Sequence, residues 1–324
     1  MPLLVRRIAI ALLVVALLVG APACGVRADT GLPSQDAADT DPGAIAYATM
    51  EQFSATVGPR PSDTWAAIDA REFVLHALQQ YGYEPSYQEF IAGKGDDRLQ
   101  SANIVALKPG ESSATLVVGA HYDTVPESAG ASDNASGVAV LIEMAARLAK
   151  VQTPYTIVFV AFGAEETGLY GSLHYVKTMD DTARDGLVGM INLDGVAGGE
   201  TLYSYGVEGE DSWLQKDILA TAEELGVTLD TDTILQVTPP VSRGEGYEII
   251  GDHIPFAGYE VPVAGFITGN DHLTPARESF WPMNTKADTV ATMEKQHPGF
   301  AQRQLRDVVR VLEVILTSEL ATTP

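Results

Sequence analysis

Three apolar segments of this chain each end in a residue able to bind a metal or move a proton. Leu116-Val117-Val118-Gly119-Ala120 runs into His121-Tyr122-Asp123. Thr156 to Phe162 runs through Gly163-Ala164 into Glu165-Glu166, and Gly189-Met190-Ile191-Asn192-Leu193 runs into Asp194. Short, nearly continuous apolar runs of this kind are what strands buried on both faces of a parallel sheet look like. Parallel strands share a direction, so their C-terminal ends lie along one edge, where open α/β sheets carry their sites. The pattern predicts an α/β fold with three such strand ends opening on one crevice.

The rest of the chain fits that reading. Ile45 to Val57 is a candidate first helix. Arg60-Pro61-Ser62-Asp63-Thr64 supplies an N-cap signal for a second, in which Trp65, Ile68, Leu75 and Leu78 recur at helical spacing before Gly82. Tyr87 to Ile91 and Asn103 to Leu107 read as strands, with Pro109-Gly110 as a turn. Val138, Leu141, Ile142, Ala145 and Leu148 mark an amphipathic helix after the His121 strand. Further helices are expected at Leu169–Lys177, Ser212–Leu225 and Gln302–Leu316, and a late strand at Pro262–Thr268. Alternating strands and helices imply a largely parallel sheet covered on both faces. No internal repeat is visible.

The chain has 324 residues, a hydrophobic content of 46% and a formal net charge of -23. That charge argues against non-specific nucleic-acid binding, which needs basic patches. The N-terminus reads as a targeting segment over residues 1–23: Arg6 and Arg7 are followed by the apolar run Ile8 to Val19 and the small-residue site Ala21-Pro22-Ala23. Cys24, the only cysteine, follows directly and resembles a bacterial lipoprotein acceptor, although Ala21 stands where that motif has Leu. Lipid anchoring and free secretion both remain open, and either places the protein outside the cell or on its surface. A membrane is expected as a partner only through this segment. Residues 24–43, rich in Asp, Ala, Gly, Ser and Pro, are expected to be a disordered tether, and 44–324 a single catalytic domain.

Taken singly, the polar strand ends have bland readings. His121-Tyr122-Asp123 could be a structural hydrogen-bond pair, Asp133-Asn134 a helix N-cap, Glu165-Glu166 a solvated strand end, and Asp194 a turn cap beside Gly195. As a set they converge on one crevice, where several carboxylates repel one another unless protons or cations neutralise them. One His among Asp and Glu suits zinc better than magnesium.

The ordered set Gly119-Ala120-His121-Tyr122-Asp123, Ser132-Asp133-Asn134-Ala135-Ser136-Gly137, Phe162-Gly163-Ala164-Glu165-Glu166-Thr167-Gly168-Leu169-Tyr170-Gly171-Ser172 and Asn192-Leu193-Asp194 resembles the co-catalytic di-zinc aminopeptidases. These include secreted bacterial leucine-type enzymes. Their relatives include glutaminyl cyclases and transferrin-receptor-type ectodomains that have lost catalysis. Gly251-Asp252-His253-Ile254-Pro255-Phe256 and the Pro262–Gly269 segment extend the likeness, which runs from about Arg60 to Leu316. The resemblance implies a three-layer α/β/α zinc-exopeptidase fold with a mostly parallel mixed sheet. It implies that His121 and Asp194 hold a first zinc, that Asp133 bridges to a second, and that Glu166 belongs to that second ion. Asp123 would orient His121, and Glu165 would take a proton from the attacking water and return it to the leaving amine. It also implies a cis peptide between Asp133 and Asn134, and His253 as a structural residue.

One departure stands out. Members of the family carry Tyr-His shortly before Asp-Thr, the His completing the second zinc position. Here the segment reads Trp281-Pro282-Met283-Asn284-Thr285-Lys286-Ala287-Asp288-Thr289. Asn284 stands in place of that His, and an amide oxygen is a weak zinc ligand. One tight zinc and a weaker second site are expected, with His272 as an alternative recruit. The sequence thus points to a metal-dependent aminopeptidase acting on peptides. A single-zinc glutaminyl-peptide cyclotransferase and a non-catalytic binding domain are its rivals.

Overall fold

The computed structural model describes residues 30–95, 98–206, 213–231, 250–270 and 282–320. Seven strands form one sheet: β1 Ser86–Ala92, β2 Leu99–Lys108, β3 Thr115–His121, β4 Thr156–Phe162, β5 Leu187–Leu193, β6 Thr201–Gly206 and β7 Val263–Gly269. Their order is β1-β2-β4-β3-β5-β7-β6. The four central strands β4, β3, β5 and β7 are parallel; β2 and β6 flank them antiparallel, and β1 pairs antiparallel with β2 at the edge. His121 pairs with Phe162 across β3 and β4, and Gly119 with Asn192 across β3 and β5. The three strand ends singled out from the sequence are therefore adjacent along one edge.

The apolar runs are continuous because each strand packs on both sides. Leu116, Val118 and Ala120 of β3, with Ile157, Phe159 and Ala161 of β4, enter the larger core. The helices α2 (Ala44–Thr56), α3 (Trp65–Gln80), α4 (Gly137–Leu148), α7 (Trp213–Leu225) and α10 (Phe300–Thr317) supply its other wall. Val117 with Val158, Val160 and Phe162 faces the opposite way, against α5 (Tyr170–Thr178) and α8 (His253–Ala257). The result is a three-layer α/β/α fold, with the short helices α6 (Asp181–Asp185) and α9 (Val290–Gln296) in connections. Thr64 caps α3 as expected, its side chain accepting from Ala67 N at 3.3 Å. The sequence reading passed over β6, an edge strand.

The expectation of a tether over 24–43 needs correction from Thr30 onward. Leu32 is buried in the larger core, and Gln35–Thr40 form a short helix, α1. Tyr81 donates to the Pro33 carbonyl at 2.8 Å, and Gln80 donates to the Leu32 carbonyl at 3.3 Å. Composition could not anticipate this, because much of what holds the segment comes from distant side chains such as Gln52, Gln80 and Tyr81. Among the described residues no helix is long and apolar enough to cross a membrane; residues 1–29, where the targeting segment is expected and Cys24 lies, are outside them.

All of α4 is buried, including two charged residues. The Glu143 carboxylate accepts from Gly43 N at 2.8 Å and Ala46 N at 2.7 Å, so it caps the start of α2. Arg147, 3.8 Å from Glu143, also pairs with Glu313 of α10 at 2.6 Å. Only glycine fits at position 43, where φ is +86° and a Cβ would lie 2.7 Å from the Arg306 backbone. Replacing Glu143 by Ala would strand two buried N–H groups and remove one of the two carboxylates beside Arg147. The expected cost is about 2–4 kcal/mol, read as a shift in the urea unfolding midpoint, with Glu143→Gln costing less.

Candidate metal centre

Each site residue is held by backbone devices at the sheet edge. His121 is the last residue of β3 and is almost fully buried. Asp123 turns inward two residues later. Its Oδ1 accepts from Glu165 N at 3.1 Å, and its Oδ2 from Glu166 N at 3.3 Å and Ser62 Oγ at 2.7 Å. Asp123 thereby fixes the loop after β4 as well as the ring beside it. Glu165 follows Ala164, a buried non-glycine residue at φ +60°, a conformation uncommon outside glycine.

Asp133 lies in a wide turn over 131–136 that feeds directly into α4. The Asp133–Asn134 peptide is cis, as the resemblance implied. Asn134 joins this turn to the end of β5. Its amide donates to the Leu193 carbonyl at 2.8 Å, and its side-chain oxygen accepts from Gly137 N at 2.9 Å and Gly195 N at 3.3 Å. A Cβ at Gly137 would meet the Leu193 carbonyl at 2.2 Å, so the close approach requires glycine. From the far end of the chain, buried Asp288 accepts from Ser132 N at 2.6 Å and Asp133 N at 3.1 Å.

These devices converge on the His121 ring. Nδ1 lies 3.2 Å from the Asp123 carbonyl oxygen and 3.7 Å from its Oδ1. Nε2 lies 3.1 Å from Asp133 Oδ1 and 3.3 Å from Asp194 Oδ1. With the proton on Nδ1, donated to Asp123, the Nε2 lone pair points at two carboxylate oxygens. Three acceptors facing one point are repulsive unless a cation or a proton sits among them. Potential ligand atoms of His121, Glu165 and Asp194 all lie within 4.8 Å of one another. The Glu166 Oε1 atom is buried with no hydrogen-bond partner among the described residues. Imidazole with several carboxylates is a donor set for zinc, and this arrangement fits a divalent cation.

Without metal the centre is electrostatically uncomfortable. Burial raises the Glu165 carboxyl well above its ordinary range; His121 opposes this, and Asp252, Asp194 and Asp123 add to it. Burial, then Asp133, pushes Glu166 up to about 8. Burial likewise raises Asp133 and takes Asp252 and Asp288 up to about 7. Burial alone would lower His121, but Glu165 and Asp194, with the hydrogen bonds to Asp123 and Asp133, raise it well above its usual value. Asp123 moves the other way: the His121 hydrogen bond and charge, then Ser62 and the Glu165 N–H, outweigh its burial and lower it.

A model of peptidase family M28 matches residues 103–309, which contain every one of these acidic residues and His121. The chain belongs to peptidase family M28. An alkaline phosphatase isozyme conversion protein of Escherichia coli K12 is 27% identical over 321 residues, covering 88% of this chain and 92% of its own. Aminopeptidase YwaD of Bacillus subtilis 168 is 33% identical over 204 residues, 60% of this chain; the match spans only 41% of that relative's length. The solved structure of a zinc aminopeptidase from Bacillus subtilis superposes with a TM-score of 0.70 at 20% identity, over 87% of this chain and 97% of that one. As an M28 member the chain is a zinc-dependent metallo-exopeptidase.

The M28 fold brings His121, Asp123, Asp133, Glu165, Glu166 and Asp194 to one place. Asn284 is different. It is exposed, on a turn at φ +58°, a left-handed conformation that Asn tolerates better than most residues. Its neighbour Met283 does reach the centre: a Cβ at Gly195, next to Asp194, would lie 2.2 Å from the Met283 methyl group. His272 lies outside the described residues. The sequence reading missed Arg60, Ser62 and the anchoring role of Asp288, because nothing local marks them. Asp252 was quoted only as part of a motif.

A group whose folded-state pKa is raised stabilises the fold at low pH and loses that contribution as pH rises through the raised value. Glu165, Glu166, Asp133, Asp252, Asp288 and His121 all act in this sense, while Asp123 acts oppositely and only at acid pH. Chelated protein should therefore lose thermal stability from about pH 5 to pH 8, and saturating zinc should flatten that slope. Melting curves of chelated and zinc-loaded protein across this range check it.

Proposed function

We propose that this chain is a zinc aminopeptidase that removes N-terminal residues from peptides outside the cytoplasm. His121, Asp133 and Asp194 would hold the tight zinc, with Asp133 and Glu166 offering a weaker second position. The reading rests on one observation: a carboxyl with a strongly raised proton affinity, Glu165, lies within 4.8 Å of His121 and Asp194. Zinc, when bound, supplies a Lewis acid that polarises the scissile carbonyl and acidifies water.

The chain's own groups divide the remaining work. Glu165 accepts a proton from the attacking water and delivers it to the departing amine, which its raised pKa suits. Asp123 holds both the His121 ring and the backbone of Glu165 and Glu166, so acid, base and ligand keep one geometry. Glu165 and Asp194 are also suited to receive the free α-amino group of the substrate, which limits cleavage to the chain end. The targeting segment over 1–23 supports export, and Cys24 would take a lipid if the protein is anchored.

Glu165→Gln should retain fold and metal while kcat falls by about 10² to 10⁴-fold on an amino-acid anilide. A loss under about tenfold would move the base elsewhere. Glu166→Gln should instead lower metal content. A glutaminyl peptide assayed in parallel separates hydrolysis from cyclisation, and inactivity of zinc-loaded protein on both would favour a binding domain.

Asn284→His tests the second position. The exchange should raise zinc per chain toward two, measured by elemental analysis after equilibration at low free zinc, because imidazole binds zinc more strongly than an amide oxygen. Unchanged stoichiometry would remove residue 284 from the site.

A further inference from the structure

Several buried charged groups among the described residues are held by direct hydrogen bonds or ion pairs. Glu143 is held by two N–H groups and lies near Arg147, and Asp288 is held by two N–H groups. Arg60 is fully buried and forms no ion pair with a carboxylate among the described residues. Its guanidinium donates only to carbonyls: Nε to Tyr122 at 2.5 Å, Nη1 to Gly58 at 3.0 Å and Ala129 at 2.7 Å, and Nη2 to Gly130 at 3.0 Å. It also lies 4.5 Å from the centroid of the Phe53 ring. A buried cation without a counter-ion is costly, and carbonyl dipoles and a ring face offset only part of that cost.

The loops whose carbonyls Arg60 holds also carry acidic residues of the metal centre. Tyr122, whose carbonyl Arg60 grips, stands between His121 and Asp123. Gly130 opens the turn that carries Asp133. A Cβ on Gly130 would lie 2.4 Å from the Asp133 carbonyl oxygen and 3.1 Å from Arg60 Nη2, so the guanidinium and the Asp133 backbone flank a single glycine. Ser62, two residues on, donates to Asp123. Burial lowers the Arg60 pKa to about 10, while Asp288, Asp123, Asp133 and Glu166 act against that fall.

We propose that Arg60 is the fixed counter-charge of the metal centre, gripping the loops that carry Asp123 and Asp133 and offsetting their charge before metal binds. The inference deepens the zinc reading above and rests on it. Arg60 is a positioning residue and touches neither substrate nor metal. A divalent cation entering the centre adds to the positive charge that Arg60 supplies from behind the loop. The positive charge at position 60 therefore matters most to the metal-free protein and less to the loaded one.

Melting of the full chain, chelated and zinc-saturated, tests this with Arg60→Met, which removes the charge, and Arg60→Lys, which keeps it while losing most of the carbonyl contacts. Comparing Lys with Met isolates the charge from the hydrogen bonds common to both losses. The chelated Met variant should melt about 5 °C or more below the chelated Lys variant, and zinc should close at least about half of that gap. A gap that is equal in both forms, or wider with zinc, overturns the proposal, because a merely structural arginine costs the same with or without metal. Recovery of Arg60→Met only in the presence of zinc is the expected result in a stronger form. If it cannot be recovered at all, Arg60→Gln, neutral but hydrogen-bonding, replaces it in the same comparison. Wild-type protein that neither binds zinc nor melts higher with it would sink the zinc assignment instead. The chelated gap between Lys and the neutral variant would still decide Arg60, and no gap would overturn it.

Discussion

The constraint around which the rest of this molecule is arranged is the mutual repulsion of carboxylates buried around one imidazole. Asp133 and Asp194 both approach His121 Nε2, and Glu165 closes the same space. In water such groups would spread apart. At the edge of a dry sheet they are kept in place by backbone hydrogen bonds, by a fixed arginine and by a strong appetite for protons or a divalent cation. The same frustration that makes the metal-free centre costly favours a divalent cation there, because the binding energy of the ion is added to the stability of the fold.

Holding the acids in place takes contributions from widely separated parts of the chain. Asp123 reaches Glu165 and Glu166 across the sheet edge, Asn134 ties the Asp133 turn to β5, and Asp288 arrives from just before α9. Glycines at 130 and 137 allow backbone to pass where a Cβ would collide. None of these contacts is large by itself. Together they restrict the ligand set to one geometry, which is what a preorganised centre requires.

Much of this was legible in the sequence. The continuous apolar runs of β3, β4 and β5 identify strands packed on both faces, and their polar ends identify the site, because both signals are local. The N-cap at Thr64 and the helices α4 and α10 were readable for the same reason. The expected tether was misjudged from Thr30 onward because composition reports what a segment could bury, not what a neighbouring helix offers its carbonyls. Asn284 carries two meanings that sequence alone cannot separate: a replaced ligand, or a residue suited to a left-handed turn.

What the sequence by itself determined is the class of fold and the identity of the groups at its active edge. A continuous apolar run and a terminal His, Asp or Glu are properties of a few consecutive residues, so they survive without coordinates. Only the tertiary structure decided which charges stand alone. Arg60 reads as part of a helix-capping segment until Tyr122, Ala129 and Gly130 are seen to surround it, and Asp288 as one half of an Asp-Thr pair until it meets the amides of Ser132 and Asp133. The physical reason is that desolvation and Coulomb energy depend on what fills the space around a group, and that space is filled by residues 60 to 160 positions away along the chain.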